Sequence, residues 1–74
     1  MPRLPRLTGA ELAAAFRRLG FPDHHQRGSH LVMFHPDGRR AVIPQHGSKV
    51  LKAGTVHRIL REARVGLDEL LAVL

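Results

Sequence analysis

The spacing of apolar positions along this chain changes twice, and three kinds of segment follow from it. Leu12, Ala15, Phe16 and Leu19 recur at i, i+3, i+4 and i+7, which predicts a helix with one buried stripe and leaves Arg17 and Arg18 outside it. Thr8 and Glu11 hold the two positions of a capping box at its start, and Gly20 supplies a left-handed stop. From residue 23 to residue 44 the helical period is lost and short apolar runs alternate with turn residues. "HHQR" reads as a weak first strand, Gly28-Ser29 as a two-residue hairpin turn, and "HLVMFH" from His30 to His35 as the strongest strand. Pro36-Asp37-Gly38 forms a tight turn, and "RAVIP" makes a third strand closed by Pro44. Gln45 to Thr55 is a polar, glycine-punctuated connection. Helical spacing then returns with Val56, Ile59, Leu60 and Ala63, and Arg58, Arg61 and Arg64 lie off that stripe. Arg58 and Glu62 are spaced to pair at i, i+4. Gly66 breaks the second helix, and Asp68 and Glu69 fall in the first turn of a short third one, "LDELLAVL".

The predicted order is therefore helix, three-stranded antiparallel sheet, helix, short C-terminal helix, an α+β arrangement. A chain of 74 residues has too little apolar surface for two cores, so residues 1–74 are expected to form a single domain. In the central strand Leu31 and Met33 are as apolar as Val32 and Phe34, so both of its faces should be covered. Two amphipathic helices cover one face of such a sheet, which leaves part of the other for a partner.

Composition narrows the chemistry. With no cysteine, disulfide staples and thiolate zinc sites are excluded, and stability must come from packing of the 43% apolar residues or from a partner. "MPRLPRL" carries two arginines but no apolar run of signal-peptide length, and no segment approaches a membrane span, so a cytoplasmic location is expected. The net charge is +6, and ten of the twelve cationic side chains are arginine. A planar guanidinium matches phosphate oxygens with two parallel hydrogen bonds, so this balance favours nucleic acid as partner.

Six histidines raise the question of metal or acid-base chemistry. Adjacent residues of a strand point to opposite faces, so His24 and His25 should diverge, as should His30 and His35. His57 has no histidine three or four residues away. A metal site is not expected on these grounds. His24, His25 and His57 read as surface residues, and His35 as a cap on the following turn. His30 differs, because a tight turn leads directly into it at the start of the central strand, which fixes the backbone while leaving the ring near the surface. The ordinary histidine pKa of about 6.5 suits proton transfer near neutrality. RNA carries its own nucleophile in the 2'-hydroxyl, so cleavage needs proton transfer and stabilisation of a charged phosphorane, with neither a cofactor nor a metal required. His30 could take the 2'-hydroxyl proton or protonate the departing 5'-oxygen while Lys49, Lys52 or Arg39 neutralises phosphate, and His46 or Lys49 could supply a second proton-transfer group.

The run "GSH" at 28–30, "HPDGR" at 35–39, a short strand ending at Pro44, and "HGSKVLKAGT" leading into "ILREA" together resemble the HicA (YcfA-like) toxins. The resemblance spans "GFPDHHQRGSH" to "LDELL", nearly the whole chain. It implies a double-stranded-RNA-binding-domain-like fold and the activity of an mRNA interferase, an endoribonuclease acting on mRNA and held in check by a HicB-like antitoxin. His30 matches the family's catalytic histidine, Gly28 and Ser29 its turn, and Gly54 the start of the second helix. The chain departs from the pattern at Ala53, where the family usually has proline, at Ser48, where it often has asparagine, and at Arg64, where it often has a glycine after the second helix. Arg27, Ser29, Arg39, Lys49, Lys52 and Gly54 are the expected RNA contacts, with phosphate held at the N-terminus of the second helix. With no Tyr or Trp and three Phe, of which Phe16 belongs to the core, base stacking is not expected and recognition should rest on backbone charge and shape. The rival readings are a non-catalytic RNA-binding module of the same fold and a DNA-binding regulator.

Overall fold

A computed structural model describes residues 3–74. The elements run α1 (Gly9–Arg18), β1 (Asp23–Arg27), β2 (His30–Phe34), β3 (Arg40–Pro44), α2 (Ala53–Ala63) and α3 (Leu67–Ala72), the predicted order. The strands form an antiparallel meander, β1-β2-β3. In β2 and β3, Leu31, Met33, Ala41 and Ile43 point into the core that α1 and α2 cover with Leu12, Phe16, Val56, Ile59 and Leu60. Leu70 of α3 closes the same core, and Phe21, in the α1–β1 connection, packs edge-on against Phe16 with ring centroids 5.0 Å apart.

The local signals act as read. The Thr8 hydroxyl accepts from the Glu11 N–H at 3.2 Å and the Glu11 carboxylate accepts from the Thr8 N–H at 2.9 Å, closing the capping box at α1. The two arginines off the α1 stripe are both engaged. Arg17 grips the Asp23 carboxylate through two hydrogen bonds, 2.7 and 3.0 Å, and Arg18 donates to the Val73 carbonyl at 2.8 Å, tying α1 to the C-terminal end of α3. The expected Arg58–Glu62 pair does not form, and neither side chain joins an ion pair among the described residues. Both lie exposed on α2, where water solvates each charge at no ordering cost.

Two further features depart from the sequence reading. The pairing slips between Asp23 and His25, so β1 carries a bulge where regular alternation was expected. The polar connection after β3 also carries pairings that its composition did not announce. Val50 bridges Thr8, the Leu51 N–H donates to the Leu7 carbonyl at 2.8 Å, and the Gln45 N–H donates to the Ser29 carbonyl at 2.6 Å. The N-terminal segment thus docks along residues 50–51, with Leu7 buried beneath it.

One contact explains how closely α1 meets the sheet. A Cβ placed on Gly9 would lie 1.9 Å from the Pro44 carbonyl oxygen, so only glycine permits the first turn of α1 to seat on the end of β3. Gly9→Ala should therefore destabilise the fold by about 1–3 kcal/mol through overpacking, even though alanine is the better helix former. A thermal melt should show a midpoint lower by about 5–20 °C, and an unchanged midpoint would contradict the close approach. At the other end of the fold Arg64 caps α2 in the left-handed region with φ 54°. Glycine occupies that conformation without steric cost, so Arg64→Gly should raise stability by about 1 kcal/mol, or about 4–8 °C in the melting midpoint.

Candidate active site at the His30 end of the sheet

The hairpin turn at Gly28-Ser29 has Gly28 at φ 56°, and it delivers His30 as the first residue of β2. His30 is exposed, with Arg27 of β1 opposite it on one side and Pro44 of β3 on the other. The Ser29 carbonyl accepts from Gln45, so the turn before His30 and the segment after Pro44 are held together across the central strand. Backbone pairing on both sides thus restricts the imidazole's origin while the ring faces solvent, the combination the sequence suggested.

Pro44 is shared with a groove of about 250 Å³ that His46, Lys49, Val50, Leu51, Lys52 and Thr55 complete. Lys52 is the N-cap of α2 and makes no side-chain capping bond, and no acidic residue occupies the first turn. Gly54 stands in that turn, exposed, and Ala53 is its first residue, the position where proline's fixed φ and missing N–H suit a helix best. The leading amides of α2 therefore have no intrahelical acceptor and face a neighbourhood of positive charge. Of the expected contacts, Arg27 and Ser29 flank His30 directly, while Lys49 and Lys52 line the groove and Gly54 lies in the helix turn beside it.

Arg39 does not join this group. It follows the turn beyond the opposite end of β2, level with His35 and about 17 Å along the strand from His30 at ordinary strand rise. There its Nε donates to Asp37 at 2.8 Å, its Nη1 donates to the Arg64 carbonyl at 3.2 Å, and its guanidinium lies 5.2 Å from the Phe21 ring centroid. A guanidinium engaged on three sides is a structural clamp between the β2–β3 turn and the end of α2, which a reading by charge alone could not distinguish from a phosphate contact. His35 acts here as expected of a turn cap: its Nδ1 accepts from the Asp37 N–H at 3.1 Å, and its ring packs edge-on against Phe21. That hydrogen bond requires an unprotonated Nδ1, so the Asp37 carboxylate is best described as Arg39's partner rather than an ion-pair partner of His35.

The bulge in β1 corrects the reading of His24 and His25. They do not diverge: their Nδ1 atoms are 2.6 Å apart, so one ring donates to the other, and the centroids are 4.9 Å apart. His24 also packs edge-on against Phe34 at 4.8 Å. Regular alternation could not have shown this, because the extra residue of a bulge carries no composition signal. Among the described residues no group of three or more histidines, acidic residues or cysteines gathers in a metal-binding arrangement.

Comparison with known families decides the affiliation. The family described as HicA toxin of bacterial toxin-antitoxin matches residues 9–65, from the first turn of α1 through Val65 beyond α2. This chain belongs to the HicA toxin family. It is thus a toxin-family member of a toxin-antitoxin system, and an antitoxin is the partner such a system supplies. Comparison with curated proteins returned no matching relative. The matched span holds every residue of the His30 end described above, and the helix–sheet–helix architecture with its short C-terminal helix agrees with the HicA fold. Among the described residues no helix of this HicA-family chain is long and apolar enough to cross a membrane.

The electrostatics of the far end yield a test of the Arg39 clamp. Hydrogen bonding to the Arg39 backbone N–H and side chain holds the Asp37 carboxyl below its ordinary value, and the Arg17 hydrogen bonds do the same for Asp23. Carboxyls with depressed folded values contribute stability above the unfolded value of about 3.9, and that contribution is lost as the pH falls through the folded values. Stability should therefore decline on acidification below about pH 4, and Asp37→Asn should be less stable than the parent at pH 7 but should show a shallower decline. Parallel acid profiles for parent and variant in denaturant titrations would contradict the clamp.

Proposed function

We propose that this HicA-family chain is a metal-independent endoribonuclease of the mRNA interferase type, with His30 as its acid-base residue. The observation that carries the reading is the exposed His30 imidazole on a doubly paired strand end, with Arg27 as one cross-strand partner and the other, Pro44, lining a groove bearing His46, Lys49 and Lys52. In the reaction the 2'-oxygen attacks the adjacent phosphorus, the bond to the 5'-oxygen breaks, and a 2',3'-cyclic phosphate and a 5'-hydroxyl result. His30 accepts the 2'-hydroxyl proton or donates to the 5'-oxygen, and His46 or Lys49 is the candidate for the complementary transfer. Arg27, Lys49 and Lys52, with the amides around Gly54, stabilise the added charge on the phosphorane. Ser29 contributes through its backbone, which fixes the turn. Arg39 is left out, since its guanidinium is already satisfied at the far end of the sheet.

The proposed substrate is mRNA, and the proposed antitoxin is HicB-like. Charge supports both parts: a +6 chain attracts RNA, and an acidic partner lying over the His30 end would neutralise the groove and block the imidazole together. Activity in the cytoplasm follows from that pairing.

The deciding experiment is incubation of the purified protein with single-stranded RNA in EDTA. Fragments ending in cyclic phosphate are expected, and His30→Ala should slow their formation by about 10²–10⁴-fold while leaving the melting midpoint unchanged. Equal rates for parent and His30→Ala would remove His30 from the chemistry. Binding without cleavage by either protein would instead favour a non-catalytic RNA-binding module.

A further inference from the structure

The face of the sheet turned away from the helices carries, beside His30 and Arg27, side chains to which the proposed chemistry gives no role. Val32, Phe34 and Val42 lie outside the core cluster that takes Leu31, Met33, Ala41 and Ile43, and alternation places His30 and Arg40 on their side. On β1 the register sets His25 opposite Val32 and Arg27 opposite His30, and the bulge turns His24 to the same side, against Phe34. His25, His24 and Phe34 consequently form an unbroken edge-to-face array, with interplanar angles of 72° and 76°, so neither contact takes up a ring face by parallel stacking. His24 and His25 are exposed, Arg27 and Arg40 are exposed at the two ends of the face, and neither makes an ion pair or a side-chain hydrogen bond among the described residues. None of these positions is acidic.

We infer that this face is a base-stacking platform for single-stranded RNA, in which the His24–His25–Phe34 array receives an unpaired base next to the nucleotide whose phosphate lies at His30. The inference rests on the ribonuclease reading and names the form of its substrate. Three observations select RNA as occupant. The surface combines π faces with flanking guanidinium groups, the pairing that binds bases and backbone without hydrogen-bond readout. Its charge is of one sign and complements phosphate. Its distance from the catalytic ring also fits: His25 is diagonal to His30 across the β1–β2 pair, a separation of about 7–8 Å that is comparable with one step of an extended single strand. A duplex would present its bases edge-on in a groove and could not stack on the array. The expectation drawn from composition, that a chain without Tyr or Trp would not stack bases, changes once the bulge gathers two imidazoles beside Phe34.

The test uses a 2'-O-methyl single-stranded oligonucleotide carrying 2-aminopurine, which cannot be cleaved through its 2'-oxygen, so binding is measured apart from chemistry. Binding to the parent protein should quench the 2-aminopurine fluorescence. His25→Ala and His24→Ala, both at exposed positions, should each weaken binding by about 5- to 100-fold and reduce the quench, whereas His25→Tyr should restore or tighten it. An oligonucleotide abasic at the probed position should bind parent and His25→Ala alike. Cleavage that depends on His30 but is accompanied by no quench, or by equal affinity for parent, His24→Ala and His25→Ala, overturns the platform and leaves the ribonuclease reading intact. Failure to bind or cleave any RNA overturns both. Variants that keep full RNA affinity but lose a co-purified acidic protein partner also overturn the proposal, because the face would then belong to protein recognition.

Discussion

The carbonyl of Pro44 is the point at which helix, sheet and loop are forced together. Gly9 lets α1 come within a distance that no side chain would allow, and Pro44 is also the cross-strand neighbour of His30 and a wall of the cationic groove. The N-terminal segment continues from that seat, bridging Val50 through Thr8 and accepting the Leu51 N–H at Leu7. A polar connection that would otherwise be free to move is ordered beforehand by backbone bonds. The position of His30 relative to Lys49 and Lys52 thus follows from packing at the start of α1, away from those three side chains themselves.

The two ends of the sheet divide the charged residues by role. At the far end Asp37, Arg39, His35, Phe21 and the Arg64 carbonyl satisfy one another, and Asp23 is held by Arg17. Glu11 and Glu69 cap helices by accepting the Thr8 and Gly66 N–H groups. Four of the six acidic residues are thereby committed to local structure. Among the described residues Arg27, Lys49 and Lys52 at the His30 end have no such partners, so their like charges are left uncompensated. Arg17, Arg18 and Arg39 are thus engaged in holding the fold together, while Arg27, Lys49 and Lys52 are left for the surface.

Much of this was legible in the sequence where the signal is local. The capping box at Thr8 and Glu11, the stripe of α1, the Gly28-Ser29 turn and the exposed start of β2 each depend on residues within one turn or one hairpin. Arg39 was misplaced because its partners beyond the Asp37 carboxylate, the Phe21 ring and the Arg64 carbonyl, are distant in sequence and leave no periodic trace. The docking of Leu7 and Thr8 along residues 50–51 escaped for a similar reason: a single bridge has no alternation to detect. The His24–His25 pair was assigned to opposite faces by a rule valid for a regular strand, and one bulge reversed it. Val32 shows a subtler outcome. Its burial, 2% exposed, agrees with the expectation that both faces of β2 are covered, yet it lies outside the core cluster that the helices close.

Amide hydrogen exchange at Gln45 and Leu51 tests most directly whether the His30 end is built in advance as one rigid unit. Their N–H groups donate to Ser29 and Leu7, the two bonds that tie the cationic connection to the hairpin turn and to the N-terminal segment. In the free protein both amides should exchange as slowly as those of the β2–β3 ladder and should share its response to denaturant. Exchange at the rate of an unstructured peptide, with the ladder still protected, would show a loose connection and contradict the preformed site.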